Sequence, residues 1–255
     1  MNPALPTIDD LIADGALFVA NHSGGKDSQA MLIRLLRVIP FIQLLVVHAS
    51  LGDVEWPGAL EHAKQQADAA CLPFVVARAE KSLLDMVERR FQTRPDVPSW
   101  PSISHRQCTS DLKRGPIERE IRRYAKANGF TTVVNCMGLR AAESRDRAKR
   151  LPLTHHARNS VAGRTWFDWL PIHDLSTAAV FDVIATAGQQ PHPAYALGND
   201  RLSCVFCIMG SRKDIANGAI QNPAMFERYA ALEDRTGYTM HASRVPLREL
   251  ARVSA

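Results

Sequence analysis

Apolar residues in this chain alternate between two patterns. Four short runs are almost continuously apolar: ALFVA (16–20), FIQLLVVHA (41–49), PFVVARA (73–79) and TTVVNCM (131–137). A strand covered on both faces needs apolar side chains at successive positions, so these runs predict buried strands. Between them lie DSQAMLIRLLRV (27–38), PGALEHAKQQADAAC (57–71), KSLLDMVERRF (81–91) and DLKRGPIEREIRRYAKA (111–127), with helical spacing. Start signals accompany three of these helices: Asp27 or Ser28, Pro57 near a first turn, and Ser82. Strand–helix–strand alternation predicts an α/β fold, a parallel sheet with helices on both faces.

The stretch TRPDVPSWPSISHRQC (93–108) breaks both patterns. Its three prolines predict a loop, and its length suits an active-site loop or lid. WLPIHDLSTAAVFDVIATAG (169–188) predicts a short strand, then a helix capped by Ser176 and closed by Gly188. Irregular QQPHPAYALGNDRLSCVFCIMG and helical NPAMFERYAALEDRTG follow; the closing ASRVPLRELARVSA reads as a helix or a loose tail. The expected organisation is an α/β domain over 1–188 and a cysteine-bearing C-terminal segment with helices over 189–255. No internal repeat or low-complexity tract is visible.

Composition narrows the class. Hydrophobic residues at 46% support a core, and 22% charged residues suit a soluble protein. The longest apolar run, VIPFIQLLVV (38–47), is interrupted by Pro40 and Gln43, so no membrane partner is expected. The first residues, MNPALPTIDD, lack a basic region followed by an apolar stretch, so no signal peptide is read and a cytoplasmic location is expected. Five cysteines in such a chain read as thiols or metal ligands, not a disulfide framework.

Charge is uneven. Residues 106–150 carry twelve Lys/Arg against five Asp/Glu, or +7, whereas the whole chain is +5 and the remainder therefore −2. Arginine outnumbers lysine 24 to 7, and arginine is the better fork for phosphate. Two readings stand: a solvated helix face over IEREIRRYAKA (117–127), or an anionic partner, with nucleic acid as the candidate acceptor.

NHSGGKDS (21–28) follows the first strand and opens a helix. Gly24 and Gly25 let backbone N–H groups converge on an anion, and the helix adds its positive end. Ser23 and Ser28 bring hydroxyls and Lys26 a charge. Asp27 suits a helix cap or a Mg2+ ion. The turn therefore reads as a polyphosphate cradle at the carboxyl edge of a parallel sheet. It is not a Walker loop, because Gly25-Lys26 is followed by Asp27. His22 beside it reads either as a leaving-group assistant or as a turn residue.

The spelling S-G-G-x-D-S resembles the pyrophosphate loop of N-type ATP pyrophosphatases. Further elements resemble the phosphoadenosine-phosphosulfate (PAPS) reductase family in order: HASLGDVEWPGALEHAKQQAD, RQCTSDLKRGPIERE, GLRAAESRDRAKR, WLPIHDLSTAAVFDVI and HPAYALGNDRLSCVFC, spanning about residues 15–210. The resemblance implies a five-stranded parallel sheet of adenine-nucleotide α-hydrolase type. It implies an adenine site near His48 to Ser50 and a ribose or Mg2+ contact at Asp53, for which a plain turn acid is the alternative. It also implies close ligand approach at Gly138 and phosphate contacts at Arg140 and Arg147, with Glu143 holding one arginine or taking part in ordinary helix pairing. Lys26, Asp27 and Cys108 become the candidate catalytic residues.

One departure decides the expected chemistry. Sulfonucleotide reductases use a cysteine in a C-terminal Glu-Cys-Gly-(Ile/Leu)-His tail, and no cysteine follows Cys207 here. Cys108, Cys204 and Cys207 match cluster positions of the family's iron–sulfur branch, although Thr109 stands where a second adjacent cysteine would be. A [4Fe–4S] cluster is the leading expectation. A Cys3His zinc site completed by His105 or His192, or bare thiols, are the alternatives. Cys136 is considered as a fourth ligand and reads better as a buried strand residue; Cys71 reads as structural. His155 and His156 are left unassigned. The leading functional expectation is an adenylating sulfurtransferase that uses ATP, with a sulfur-donor protein as candidate partner. A sulfonucleotide reductase and a non-catalytic nucleotide or nucleic-acid binding module are the alternatives. The oligomeric state is not legible.

Overall fold

The computed structural model describes residues 5–252. Two compact units interleave along the chain. One comprises the chain through His48, Leu60–Ala77 and Ile117–Pro191; the other comprises Ala49–Ala59, Arg78–Pro116 and the chain from His192 onward.

The first unit is built on a six-stranded sheet: β1 (Leu17–Asn21), β2 (Leu44–Ser50), β3 (Phe74–Arg78), β4 (Thr132–Cys136), β5 (Leu153–His155) and β6 (Thr165–Trp169). Their order is β3-β2-β1-β4-β6-β5. β1 lies parallel to β2 and β4, and β4 parallel to β6, whereas β5 pairs antiparallel with β6. The fold is therefore α/β with a mostly parallel sheet, as the alternation predicts, with one strand more than expected. Leu17, Phe18, Val19 and Ala20 of β1 are all buried because both sheet faces are covered. One face packs Phe18, Ala20 and Val46 against Met31, Leu32 and Leu35 of the helix Lys26–Val38. The other packs Leu17, Val19 and Val133 against Ile121 and Ala125 of the helix Gly115–Ala127.

The strand read at 41–49 begins at Leu44. Pro40 fixes its own φ, and Phe41–Gln43 form a 3-10 turn that leaves Phe41 and Ile42 exposed. The strand read at 169 is instead the end of β6, which starts at Thr165. Helix starts at Ser82 and Ser176 carry the predicted side-chain caps, each accepting an N–H three residues on.

In the second unit, Trp56, Leu84, Trp100, Phe206, Tyr229 and Leu247 belong to one apolar cluster. The helices Leu83–Thr93, Arg212–Gln221 and Pro223–Thr236 surround it. Residues 94–106 form neither helix nor strand, yet Trp100 is buried in this core and anchors the segment. Among the described residues no helix is long and apolar enough to cross a membrane.

Candidate functional site

The glycine turn leaves the carboxyl end of β1. The cap of the following helix is Gly25, not Asp27 or Ser28 as the start signals suggested, and no side chain occupies the capping position. Gly24 has φ +76°, a left-handed conformation that glycine adopts without strain. The first turn of this helix therefore meets its surroundings through main-chain N–H groups, the arrangement that binds anions at helix starts.

The turn is shaped from within. Ser28 Oγ donates to the Gly25 carbonyl at 2.8 Å and accepts the Ser23 N–H at 3.2 Å. The Gly24 N–H donates to His22 Nδ1 at 3.1 Å. Nδ1 must then be unprotonated, so the ring proton sits on Nε2 and is donated to Gln66 Oε1 at 2.9 Å. Burial is the main reason that the His22 pKa falls to about 3; the Gln66 hydrogen bond opposes it, and His48 and His62 add to it. His22 is thus a neutral structural clamp on the turn, with both ring nitrogens engaged. His48, also buried, uses Nδ1–H to hold the His22 carbonyl at 2.8 Å and stacks on Phe74.

Lys26 is buried, with Nζ 3.5 Å from Asp27 Oδ2 and 5.9 Å from the Phe181 ring centroid. The other oxygen of Asp27 receives Arg140 Nε at 2.7 Å. One carboxylate thus faces two cations, and Arg140 is itself held by the Leu175 carbonyl and Thr177 Oγ1, each at 3.3 Å. Glu143 accepts the Arg140 backbone N–H at 3.0 Å and pairs with Arg147. Burial works to raise the Glu143 pKa, but the Arg140 N–H and the Arg147 guanidinium outweigh it and hold the carboxyl below its ordinary value. Gly138 has an immediate reason to be glycine: a Cβ there would lie 3.1 Å from the Asp27 carbonyl carbon and oxygen and 3.2 Å from the Ser28 nitrogen. Ser23 through Ser28, Gly138, Arg140 and Arg147 therefore belong to one assembly around the turn.

Asp53 lies in the second unit and pairs with Arg228, with both side chains about half exposed. The three candidate metal ligands lie in that unit too. Cys108, Cys204 and Cys207 share an electrostatic neighbourhood with Lys113, a residue of the RQCTSDLKRGPIERE element to which the sequence reading gives no role. Burial pushes the Cys204 thiol up to about 11, with Lys113 opposing the rise. Burial likewise raises Cys108, again opposed by Lys113. Among the described residues no group of three or more His, Cys, Asp or Glu side chains is arranged to hold a metal ion. His192 spends Nδ1 on the Ala194 N–H and Nε2 on the Pro57 carbonyl, and exposed His105 bonds Ser104. The side chains shared by this neighbourhood are thiols. Cys136 is fully buried in β4 and Cys71 is exposed.

A parallel α/β sheet carrying an open-capped glycine turn on its first strand defines a nucleotide-binding class of protein. The phosphoadenosine phosphosulfate reductase domain matches residues 18–210, and the chain belongs to that family. No curated protein is a match. Among solved structures, the chain is similar to a PAPS reductase from Candida auris in a phosphate complex, with 13% identity over 73% of this chain and 80% of that one and a TM-score of 0.47. It is similar to the FMN adenylyltransferase of Candida glabrata in complex with FAD and inorganic pyrophosphate, with 11% identity, 78% and 57% coverage and a TM-score of 0.47. It is also similar to the U34-tRNA thiolase NcsA from Methanococcus maripaludis with its [4Fe-4S] cluster, with 13% identity, 96% and 75% coverage and a TM-score of 0.43. The chain spans little more than half the length of the adenylyltransferase.

Proposed function

We propose that this PAPS reductase family member is an ATP-dependent adenylating sulfurtransferase. The observation that supports the reading is the Gly25-capped helix start at the carboxyl edge of β1, which offers main-chain amides where a polyphosphate would lie. In this reading the amides of residues 25–28 and the Ser23 hydroxyl receive the β- and γ-phosphates of ATP, while the Ser23 and Gly24 N–H groups stay on Ser28 Oγ and His22 Nδ1 and hold the turn. An acceptor oxygen attacks the α-phosphorus and pyrophosphate departs, its growing charge met by donors already in place. Arg140 and Lys26 act through Asp27, fixing the first turn of the helix rather than reaching solvent. Mg2+ would share the charge of the departing pyrophosphate. A sulfur donor then displaces AMP from the activated acceptor.

Cys108, Cys204 and Cys207 suit an iron–sulfur cluster by donor chemistry, because soft thiolates select such clusters. A bound [4Fe–4S] cluster would supply an iron at which sulfide is held. The part of this chain is to present the three thiols near the Lys113 ammonium, whose charge opposes the burial that keeps Cys108 and Cys204 protonated.

Incubation with ATP, Mg2+ and candidate acceptors should yield AMP and pyrophosphate, and Ser23→Ala should lose that yield. ADP as the product, or full activity in Ser23→Ala, would remove this reading. Anaerobic preparations should contain iron and acid-labile sulfide, both lost in Cys204→Ser. Zinc in their place, or an unaltered iron content in that variant, would withdraw the cluster.

The family match itself favours a second reading, reduction of a sulfonucleotide by an internal thiol. A thiosulfonate adduct on Cys108, Cys204 or Cys207 after exposure to PAPS would support it, and no adduct on any of them would count against it.

A further inference from the structure

The segment joining β5 to β6 gathers positive charge around one buried amide. Asn159 is 4% exposed. Its Oδ1 accepts Arg122 Nη1 at 3.3 Å, its backbone carbonyl accepts Arg164 Nε at 3.1 Å, and its backbone N–H donates to His156 Nδ1 at 3.1 Å. Because Oδ1 accepts from a guanidinium, the orientation of the amide is set, and Nδ2 is a donor. That Nδ2 is buried and has no hydrogen-bond partner among the described residues. Two guanidiniums and an unused amide donor therefore meet at one residue.

Counter-charge is short there. Arg122 has Glu118 at 3.7 Å, one turn back on the same helix. Arg164 forms no ion pair among the described residues; burial, and then the charge of Arg122, hold its guanidinium below the ordinary arginine value. Two like charges held near one residue repel, and an anion joining them would relieve that repulsion. Arg158 in the same segment and Lys126, one turn beyond Arg122, are exposed and extend the positive surface.

Position separates this cluster from the glycine turn. Arg164 immediately precedes β6, whose first residue Thr165 is in register with Thr132, the first of β4. β4 runs parallel to β1, and the glycine turn follows the last residue of β1. The two sites thus lie at opposite edges of the sheet, about 16 Å apart along a five-residue strand at ~3.3 Å per residue.

We infer that Arg122, Arg164 and the Asn159 amide form a second anion site that takes a phosphate group of a single-stranded nucleic acid. Planar guanidinium forks match phosphate oxygens, the amide adds a neutral donor, and the flanking cations follow a backbone with repeated charge. The site is independent of the ATP reading, because its evidence and its test involve binding alone.

The test uses the full chain. A fluorescein-labelled single-stranded oligonucleotide of about 20 nucleotides is titrated by anisotropy at several salt concentrations. Inorganic phosphate is titrated by calorimetry in parallel. Arg122→Gln and Arg164→Gln should each weaken oligonucleotide binding about tenfold, the loss of one charge-assisted contact. Each should also reduce the slope of log K against log salt by about 0.7. Arg164→Lys should keep the slope, and unchanged thermal midpoints in all three variants verify folding. Lost phosphate binding with unchanged oligonucleotide binding would assign the site to free phosphate and overturn the nucleic-acid source. Unchanged binding of both probes in the folded Gln variants would overturn the site. Absence of AMP formation from ATP would leave every one of these outcomes unaltered.

Discussion

Arg140 Nε lies 2.7 Å from Asp27 Oδ1, and this contact ties the segment after β4 to the first turn of the glycine-capped helix. Arg140 is buried and Asp27 mostly so, and Lys26 reaches the other carboxylate oxygen. Removing the guanidinium strands a largely dehydrated carboxylate on one cation. Arg140→Met should therefore cost about 2–3 kcal/mol, below the range for a fully buried pair because Asp27 keeps some solvent contact. Adding Asp27→Asn should not recover that loss, since the buried Lys26 ammonium then loses the carboxylate that Arg140→Met had left it. Urea unfolding checks both, and a single variant as stable as the parent would show that the contact is ornamental.

Gly138 meets the same turn from the backbone side. A methyl group there would press on the carbonyl of Asp27 and the nitrogen of Ser28, neither of which is a flexible side-chain tip. Gly138→Ala should lose about 1–3 kcal/mol, the usual cost of overpacking. It should also weaken ATP binding, because the atoms displaced belong to the cradle. Calorimetric titration with a non-hydrolysable ATP analogue measures this directly; wild-type affinity in a folded Gly138→Ala protein would separate the cradle from the nucleotide.

His22 makes the turn sensitive to acid. Its folded pKa of about 3 lies below the ordinary 6.5, so between those values the unfolded chain binds the extra proton. Stability from this group is complete above pH 6.5 and is lost progressively as pH falls toward 3. The thermal midpoint should drop between pH 7 and pH 5. The drop should be shallower in His22→Gln, which keeps an acceptor for the Gly24 N–H and has no proton to take up. Equal pH dependence in both proteins would place the acid sensitivity elsewhere.

The sequence shows β1 to β4 plainly, because strands covered on both faces carry uninterrupted apolar runs. It conceals β5 and shows only the last residue of β6, Trp169. β5 is a three-residue edge strand, and β6 holds Asp168, a residue that argues against a buried strand until its partners are known. Those partners are Asn135 Nδ2 at 2.8 Å and Trp166 Nε1 at 3.2 Å. The glycine turn is legible from its spelling, and so is the pairing of Glu143 with Arg147. The clamp on the turn is not, because His22 depends on Gln66, 44 residues away. Nor does sequence reveal that Lys113 sits among thiols contributed from both sides of it, or that two arginines 42 positions apart converge on Asn159. Short-range chemistry is written in spacing; long-range electrostatics appears only when the chain has folded.

That electrostatic neighbourhood makes the thiols distinguishable by reactivity in the metal-free protein. The thiolate is the species that alkylates, so exposure and proton affinity together set the rate. Cys71 is exposed and should react first with iodoacetamide at pH 8. Cys204, held as a thiol by burial up to about 11, should react far more slowly, as should fully buried Cys136. Raising the pH toward 10 should accelerate Cys204 by about tenfold per unit, since the thiolate fraction grows in that proportion below its pKa. Lys113→Met removes the one cation that opposes the rise, so Cys204 and Cys108 should slow further while Cys71 is unaffected. Peptide mass spectrometry of timed aliquots reads all four sites at once. Cys204 labelling as quickly as Cys71 at pH 8 would mean that the thiol is open to solvent and that Lys113 does not govern it.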